Sequence, residues 1–141
     1  MDVRASLETT GDAARLFSLV SDLASYPQWM DLVHRVEAVG DDAWDVELRA
    51  KVGPFARSKR LRMVRTTMQP NSLVRFERVE ADGRNHASWV LTGTIDSVGE
   101  TCTLTMHLHY GGGLFTGGVL ERVLGDKIEA GRARLAALLA N

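Results

Sequence analysis

Strict alternation of apolar and polar residues predicts β-strands that bury one face along much of this chain. The clearest stretches are 43–52 and 101–110, where every second residue is apolar and the intervening residues are charged or polar. Shorter stretches bounded by Gly, Pro, Asn and Asp predict further strands, and Gly53-Pro54 predicts a turn. The predicted strands are 3–8, 34–39, 43–52, 58–69, 73–80, 85–97 and 101–110.

Apolar residues recur at helical spacing in three other stretches. A helix is predicted to follow Thr10-Gly11-Asp12, and a second short helix is predicted over 25–30, with Pro27 in its first turn, where the missing N–H costs nothing. The glycine triplet 111–113 separates the last strand from a predicted helix over 116–140, which would be roughly 37 Å long.

The predicted order is therefore strand, two short helices, six strands and one long helix. Strands joined by short turns favour an antiparallel sheet, which can expose one face and wrap the other around the last helix. The sequence predicts an α+β fold. Its curved antiparallel sheet of about seven strands wraps around the long C-terminal helix, with two short helices after the first strand, in a single domain over 1–141.

Composition narrows the class of protein. The 141 residues are 45% hydrophobic and 25% charged, which suits one domain with a substantial core. No apolar run approaches the ~20 residues that span a bilayer, and the N-terminus does not resemble a signal peptide. The single cysteine, Cys102, excludes an internal disulfide and suits a reducing compartment. With a net charge of −1, we expect a cytoplasmic protein with no nucleic-acid partner and no integral membrane association.

Charge is distributed unevenly along the chain. Residues 1–47 contain ten acidic and three basic residues, whereas the segment between Leu48 and Phe76 contains eight basic residues and no acidic one. One interpretation is cross-strand pairing, with Arg60 and Arg62 opposite Asp45 and Glu47. The other is a basic hairpin over 49–65 that attracts an anionic ligand, a lipid headgroup or an acidic partner.

The order of the elements, the Tyr26-Pro27-Gln28-Trp29 segment and the ending of strand, glycines and long helix resemble the START-like (SRPBCC) superfamily. This superfamily includes polyketide cyclase/dehydrase and lipid-transport proteins. The resemblance covers essentially the whole chain and implies the helix-grip fold. It also implies a hydrophobic cavity between the curved sheet and the last helix for lipids, polyketides, quinones or hormone-like molecules. No cofactor is implied; some members are aromatases or cyclases, and many only bind and carry.

Strand parity indicates which side chains face such a cavity. For each residue alone core packing is the commoner explanation, whereas the set as a whole favours a pocket. Trp29, together with Tyr26, is expected to close one end. The remaining apolar candidates are Trp44, Leu61, Met63, Phe76, Trp89, Leu91, Met106 and Leu108 on the strands, and Leu120, Leu124 and Ile128 on the last helix.

Three polar side chains occupy inward positions and would orient a ligand: Arg65, Arg78 and Tyr110. A buried arginine needs a partner, which could be Glu80 or a ligand carboxylate. Alternatively, the strands twist and both arginines reach solvent. A single β-bulge within 58–67 would also exchange Arg65 for Val64 as the inward residue.

Signals for catalysis are weak. His107 and His109 share one strand face, but this is the predicted solvent face and no third metal ligand is evident. Neither His34 nor His86 has a recognisable partner, and no phosphate loop, dinucleotide fingerprint or serine-hydrolase elbow occurs. We therefore predict no catalytic residue, no metal and no cofactor. Gly131, like Gly125, would either open room for a ligand or permit close helix packing.

The sequence favours binding or carriage of a hydrophobic small molecule, including one with an anionic group, in a cavity between sheet and C-terminal helix. Two alternatives stay open. One is a polyketide cyclase or aromatase-type enzyme, and the other is a module that binds a protein or a membrane through the basic hairpin 49–65.

Overall fold

The computed structural model describes residues 2–52, 54–80, 82–111 and 119–140, and for Val52 and 119–125 it describes the backbone alone. Ten helical and strand segments follow one another in these residues. In chain order they are β1 (Asp2–Thr10), α1 (Ala13–Val20), a 3₁₀ helix (Leu23–Gln28), β2 (Val33–Ala38), β3 (Ala43–Val52), β4 (Phe55–Gln69), β5 (Leu73–Arg78), β6 (Trp89–Val98), β7 (Thr101–Tyr110) and α2 (Val119–Ala140).

The seven strands form one sheet in the order β1-β7-β6-β5-β4-β3-β2, and every neighbouring pair is antiparallel. Six strands follow each other through turns, whereas β1 lies beside β7, so the first and last strands are neighbours. The sheet curls into a half-barrel next to α2, which confirms the predicted fold class. None of the helices in the described residues is long and apolar enough to span a lipid bilayer.

The alternating sequence pattern turns the apolar residues of the strands to one face, where the core forms. Phe76 and Val74 of β5 and Leu16 and Val20 of α1 are completely buried, and Leu135 of α2 is 2% exposed. Removing such side chains from water stabilises the fold by about 25 cal/mol per Å² of apolar surface. The core therefore extends from β5 to both helices.

Side chains fix the ends of both α-helices. The carboxylate of Asp12 accepts a hydrogen bond from the Ala14 amide over 2.8 Å and begins α1. Arg15 donates to the carbonyl oxygens of Leu138 and Leu139 at the end of α2, over 2.8 and 3.3 Å. A cation at a helix C-terminus is favourable because the helix dipole is negative there, and this contact joins α1 to α2.

The second short helix differs from its prediction. It is a 3₁₀ helix that begins at Leu23, two residues earlier than predicted, and Pro27 is its fifth residue and not part of its first turn. The cause is Asp22, whose carboxylate accepts a hydrogen bond from the Ala24 amide over 2.9 Å and starts the helix upstream.

The largest errors in the predicted strand boundaries are at the starts of β4 and β6. β4 begins at Phe55 and not at residue 58, because Phe55 still pairs with Val52 across the turn. β6 begins at Trp89 and not at residue 85, because β5 ends at Arg78 and its guanidinium donates to the carbonyl oxygen of Ala87 over 3.3 Å.

Several predictions concern residues outside the described part of the chain. They are the turn at Gly53, the glycines 112 and 113, the first residues of the predicted last helix (116–118), and the side chains of Leu120 and Leu124.

Candidate ligand-binding cavity

A cavity of about 150 Å³ lies between the concave face of the sheet, the 3₁₀ helix with its following segment, and α2. Nearly all of its described wall is apolar. The lining residues are Val3, Ala5, Ser6, Leu7, Leu23, Tyr26, Trp29, Met30, Leu32, Val33, Val46, Leu48, Leu61, Met63, Trp89, Leu91, Leu104, Met106, Leu108, Lys127, Ile128, Arg132 and Leu135.

Cross-strand pairs between β1 and β7 form one side of the wall. Their register places Val3 opposite Leu108, Ala5 opposite Met106, and Leu7 opposite Leu104. Because paired residues of adjacent strands share a sheet face, these six side chains make a continuous apolar surface.

The 3₁₀ helix closes another side of the cavity with two aromatic residues. The ring centroids of Tyr26 and Trp29 are 4.5 Å apart, and both side chains are 3% exposed. The Tyr26 hydroxyl donates to the carbonyl oxygen of Val20 over 2.7 Å. Burial raises the pKa of Tyr26 far above the usual range, with a smaller effect of the Asp22 charge. Tyr26 is therefore a neutral, structurally engaged donor.

α2 contributes Ile128, Arg132 and Leu135, whose spacing of four and three places them on one helix face. Gly131 lies against the 3₁₀ segment: an added Cβ would come within 2.7 Å of the Met30 Cε atom and 3.0 Å of the Trp29 carbonyl oxygen. Gly131 does not line the cavity. Of the two interpretations of this glycine, close packing fits the structure.

The structure brings together eight of the residues that strand and helix parity placed at the site: Trp29, Leu61, Met63, Trp89, Leu91, Met106, Leu108 and Ile128. Five other predicted site residues lie outside the cavity wall: Trp44, Arg65, Phe76, Arg78 and Tyr110.

The aromatic members of the second group are packed in the core. The ring of Trp44 lies 5.6 Å from that of Phe76 in an edge-to-face arrangement, and Tyr110 stacks on Trp89 with centroids 4.9 Å apart. Tyr110 is 2% exposed. It therefore supports a cavity residue and does not itself line the cavity.

Arg65 keeps its predicted inward parity, because it pairs with Phe76 and the bulge follows between Arg65 and Thr67. Its guanidinium nevertheless does not reach the cavity. It bonds the Asp42 carboxylate over 2.6 Å and the Ser21 carbonyl oxygen over 2.8 Å. The guanidinium carbon also lies 5.4 Å from the centroid of the Trp44 ring. With 17% of the side chain exposed, Arg65 is satisfied by the protein and does not reach out to solvent.

Arg78 is also satisfied within the protein, and its side chain is 8% exposed. Its Nε donates to the Glu80 carboxylate over 3.0 Å, which confirms Glu80 as the partner. A guanidinium nitrogen lies 3.2 Å from Nδ1 of His86, and the other ring nitrogen, Nε2, lies 2.9 Å from the Asp82 carboxylate. The prediction that His86 lacks a partner was therefore wrong. The Arg84 amide and then His86 lower the pKa of Asp82.

The cations that line the described part of the cavity wall belong instead to α2. Lys127 lies 3.8 Å from the Asp31 carboxylate, and Arg132 bonds Glu129 over 2.7 Å through a terminal nitrogen. Asp31 also accepts a hydrogen bond from Arg134, and this bond is the main reason that the pKa of Asp31 lies below its usual range.

Three buried donors at the cavity wall have no hydrogen-bond partner among the described residues: Nε1 of Trp29, Nε1 of Trp89 and Nε of Arg132. Such a group costs about 1–3 kcal/mol when it is removed from water and left unbonded. The three donors belong to residues that line the cavity, and their hydrogen-bonding capacity is unused within the described part of the protein.

Several lining residues were absent from the sequence-based site. Val46, Leu48 and Leu104 occupy inward positions of their strands, so the alternating pattern alone could have identified them. Leu23, Met30, Leu32 and Val33 belong to the segment around the 3₁₀ helix, for which only the Tyr26-Pro27-Gln28-Trp29 motif gave a signal. Lys127 and Arg132 belong to α2. Arg132 shares a helix face with Ile128 and Leu135, so helical spacing could have identified it as a lining residue.

The two neighbouring histidines of β7 lie on the outer face, as predicted. Nε2 of His107 and Nδ1 of His109 both contact Oδ1 of Asp2, at 2.8 and 3.0 Å. The hydrogen bond to His107, followed by that to His109, lowers the pKa of Asp2. Within the described ranges, no group of three or more His, Cys, Asp or Glu side chains is arranged to hold a metal ion.

Cross-strand pairing accounts for part of the basic segment. Arg62 pairs with Asp45 at 2.6 Å, and Arg60 stands opposite Glu47 at 3.9 Å, which confirms the predicted pairs. Arg49, Lys51, Arg57 and Lys59 form no ion pair with any residue that the structure describes.

Comparison with known proteins places the chain in a family. Residues 1–140 match the family model described as polyketide cyclase/dehydrase and lipid transport. No curated protein sequence matches the chain at a significant level.

Solved structures share the whole fold at low sequence identity. A START superfamily protein from Mycobacterium smegmatis is 15% identical, with 99% of this chain and 97% of that chain covered and a TM-score of 0.73. A conserved protein from Geobacillus kaustophilus is 14% identical, with 99% and 95% covered and a TM-score of 0.76. The Zhui aromatase/cyclase from Streptomyces sp. R1128 is 13% identical, with 99% and 93% covered and a TM-score of 0.65. At these identities the likeness concerns the fold.

Proposed function

Because the chain belongs to the polyketide cyclase/dehydrase and lipid transport family, we propose that it binds or carries a hydrophobic small molecule in the cavity between its sheet and α2. The observation that carries this proposal is the described cavity wall, which is apolar apart from Ser6, Lys127, Arg132 and the polar atoms of three aromatic residues. Burial of an apolar ligand there would contribute about 25 cal/mol per Å², less the cost of association.

Cavity size constrains the part of the ligand that is enclosed. An apolar cavity of roughly 150 Å³ accommodates a benzene ring, whereas pockets for drug-sized molecules span roughly 300–1,000 Å³. We therefore expect a compact buried moiety: one ring of a quinone-like or polyketide-like molecule, or a short stretch of a lipid chain. Larger ligands would have to extend beyond this volume.

The residues that would orient the ligand differ from those that the sequence indicated. Arg65 and Arg78 are engaged with Asp42 and Glu80, so neither is available without breaking a partly buried ion pair. Arg132 lines the cavity and has an unbonded Nε within the described residues. An anionic or carbonyl group of a ligand would therefore interact with Arg132, helped by Lys127.

An enzymatic role as a polyketide cyclase or aromatase is the second candidate, and the same two cations are the observation that favours it. Such a reaction needs a group that polarises a carbonyl oxygen, and Lys127 and Arg132 are the charged residues of the described part of the wall. Arg132→Met would abolish turnover of a polyketide-like substrate while leaving the binding of an uncharged apolar ligand intact. In a carrier, the same variant would change the affinity for anionic ligands alone.

Native mass spectrometry of the purified protein, with extraction and identification of anything bound, tests the proposal directly. Binding of candidate ligands can then be followed by tryptophan fluorescence. Trp29 and Trp89 line the cavity and Trp44 does not, so the Trp44→Phe variant leaves only the cavity tryptophans to report. We expect their emission to change on addition of a ring-sized apolar compound and to saturate at one ligand per chain.

A cavity-filling variant supplies the matched control. Ala5 lines the cavity on β1, and Ala5→Phe would occupy part of the space and weaken ligand binding strongly. Ala38 is an exposed strand alanine on β2 outside the wall, so Ala38→Phe adds the same atoms without effect on binding. Equal affinity of both variants, or a protein that binds no apolar compound, would contradict the proposed function.

A further inference from the structure

The hairpin of β3 and β4 extends past both neighbouring strands. On one side, β2 pairs no further than Val33 opposite Leu48, with a last hydrogen bond from the Arg49 amide to Leu32. On the other side, β5 pairs no further than Arg78 opposite Met63. We call residues 50–52 and 55–61 the ribbon. Residues 55–61 pair with 46–52 of β3, and within the described residues β2 does not pair with 50–52 and β5 does not pair with 55–61.

Positive charge covers both faces of the ribbon. Its register places Lys51 and Arg60 on one face and Arg57 and Lys59 on the other. The chain has no acidic residue between Leu48 and Phe76. Arg60 is 84% exposed and only approaches Glu47 at 3.9 Å, and the other three cations form no ion pair within the described residues.

The ribbon also carries an exposed aromatic side chain. Phe55, the first residue of β4, is 69% exposed and shares its face with Arg57 and Lys59. Charges on an unpaired strand edge can simply prevent association with other strands. That explanation covers the lysines and arginines but gives no reason for a phenylalanine at the exposed end.

We propose that the ribbon docks end-on to an anionic lipid surface, with Phe55 in the interfacial layer and the cations among the headgroups. Phenylalanine is among the residues that interfacial segments bury at the boundary of headgroups and acyl chains, and basic side chains near an anionic leaflet are attracted to it. A ribbon with cations on both faces suits a surface that surrounds its end, whereas a folded protein partner would contact one face. The cavity plays no part in this inference.

Cosedimentation of the full chain with lipid vesicles tests the proposal. We expect binding to phosphatidylcholine vesicles that contain phosphatidylglycerol, weak binding to phosphatidylcholine alone, and loss of binding at high salt, because salt screens exposed charges. The double reversal Arg57→Glu with Lys59→Glu is expected to lower the partition coefficient roughly 30-fold or more, since each cation near the surface contributes about fivefold.

Two matched controls separate the ribbon from general effects. Arg4→Glu with Arg75→Glu changes the net charge equally at exposed positions outside the ribbon, and it should retain most of the binding. Phe55→Ser should weaken binding about tenfold. Val98→Ser should not, although Val98 is 80% exposed, because its hairpin carries Asp96 and Glu100 in place of cations.

Three results would overturn the proposal. The first is equal binding to vesicles with and without phosphatidylglycerol, and the second is an equal loss of vesicle binding in both charge-reversal pairs. The third is a protein that does not bind vesicles but binds RNA or an acidic polypeptide through the ribbon. The Ala5→Phe variant keeps this test independent of the cavity. If it binds no apolar ligand but still binds anionic vesicles, the two functions are separate.

Discussion

The Tyr26 hydroxyl donates a hydrogen bond to the backbone carbonyl oxygen of Val20 over 2.7 Å, and this bond joins the 3₁₀ helix to the end of α1. The adjacent Ser25 hydroxyl donates to Leu19 in the same way. Together these bonds satisfy carbonyl groups that a helix end would otherwise leave without partners. They hold the 3₁₀ helix, and with it the aromatic wall of the cavity, in place.

Tyr26→Phe should lower the free energy of unfolding near neutral pH. The variant keeps the ring but leaves the Val20 carbonyl without its donor, and we expect a loss of about 1–3 kcal/mol. Urea unfolding followed by circular dichroism measures it. An unchanged midpoint would mean that the hydrogen bond contributes nothing to stability.

The effect of Tyr26→Phe on the free energy of unfolding should also depend on pH. Burial raises the pKa of Tyr26 above its usual value near 10, so the folded chain keeps the phenol neutral while the unfolded chain ionises it. The folded state then binds more protons, and stability falls by about 1.4 kcal/mol per pH unit above pH 10. Tyr26→Phe lacks this sensitivity, so its deficit relative to the parent protein should shrink between about pH 9 and pH 11.

Arg65 completes the same helix end from another direction, because its guanidinium bonds the Ser21 carbonyl oxygen and the Asp42 carboxylate. Arg65→Met should therefore destabilise the protein by about 2 kcal/mol, within the range for hydrogen bonds to charged groups. Binding of an apolar ligand to the folded variant should not change. Arg60→Met is the matched control: its side chain is 84% exposed, so its effect should stay within about 0.5 kcal/mol. A loss of ligand affinity in Arg65→Met that Arg60→Met does not share would show that Arg65 takes part in ligand binding.

Gly131→Ala should destabilise the protein although alanine is the better helix former by about 1 kcal/mol. The new Cβ would lie 2.7 Å from Met30 and 3.0 Å from the Trp29 carbonyl oxygen, and the latter is backbone that cannot easily move. We expect a net loss of about 1–3 kcal/mol in thermal or urea unfolding. Adding Met30→Ala should recover part of it. A stabilised Gly131→Ala variant would show that α2 lies farther from the 3₁₀ segment.

Parity explains which parts of the site could be predicted from the sequence. Alternation fixes the face of each side chain, so Leu61, Met63 and Met106 were placed correctly, and the pairs of Arg60 and Arg62 followed from hairpin register. Parity does not show how far along a strand the covering elements reach. Trp44 and Phe76 share the inward face but pack with each other in the core, outside the cavity wall.

Polar residues were harder to place for a related reason. The sequence showed that Arg65 and Arg78 point inward, but their partners come from turns distant in sequence, such as Asp42, or from an unpaired segment, such as Ala87. The 3₁₀ helix begins two residues before its predicted start because the Asp22 side chain caps it upstream, whereas the prediction relies on Pro27 in the first turn. Such contacts depend on tertiary geometry that no local period encodes.

Asp31→Asn tests how α2 is held over the cavity. Asp31 precedes the lining residue Leu32 and accepts from Arg134, with Lys127 3.8 Å away, so it ties this segment to α2. Arg134 lowers the pKa of Asp31, so the contribution is present above the unfolded carboxyl value near 3.8 and disappears as pH falls through the lower folded value. Because the side chain is 42% exposed, we expect a loss of only about 0.5 kcal/mol near neutral pH, and this loss should fade in acid as the folded carboxylate is protonated. Urea unfolding near neutral pH and in acid measures this loss, with Asp96→Asn as the control, since Asp96 forms no ion pair among the described residues.

A deficit of Asp31→Asn that persists in acid would mean that Asp31 acts through something other than its charge. A deficit at neutral pH that is accompanied by faster ligand release would show that this ion pair also keeps the cavity closed.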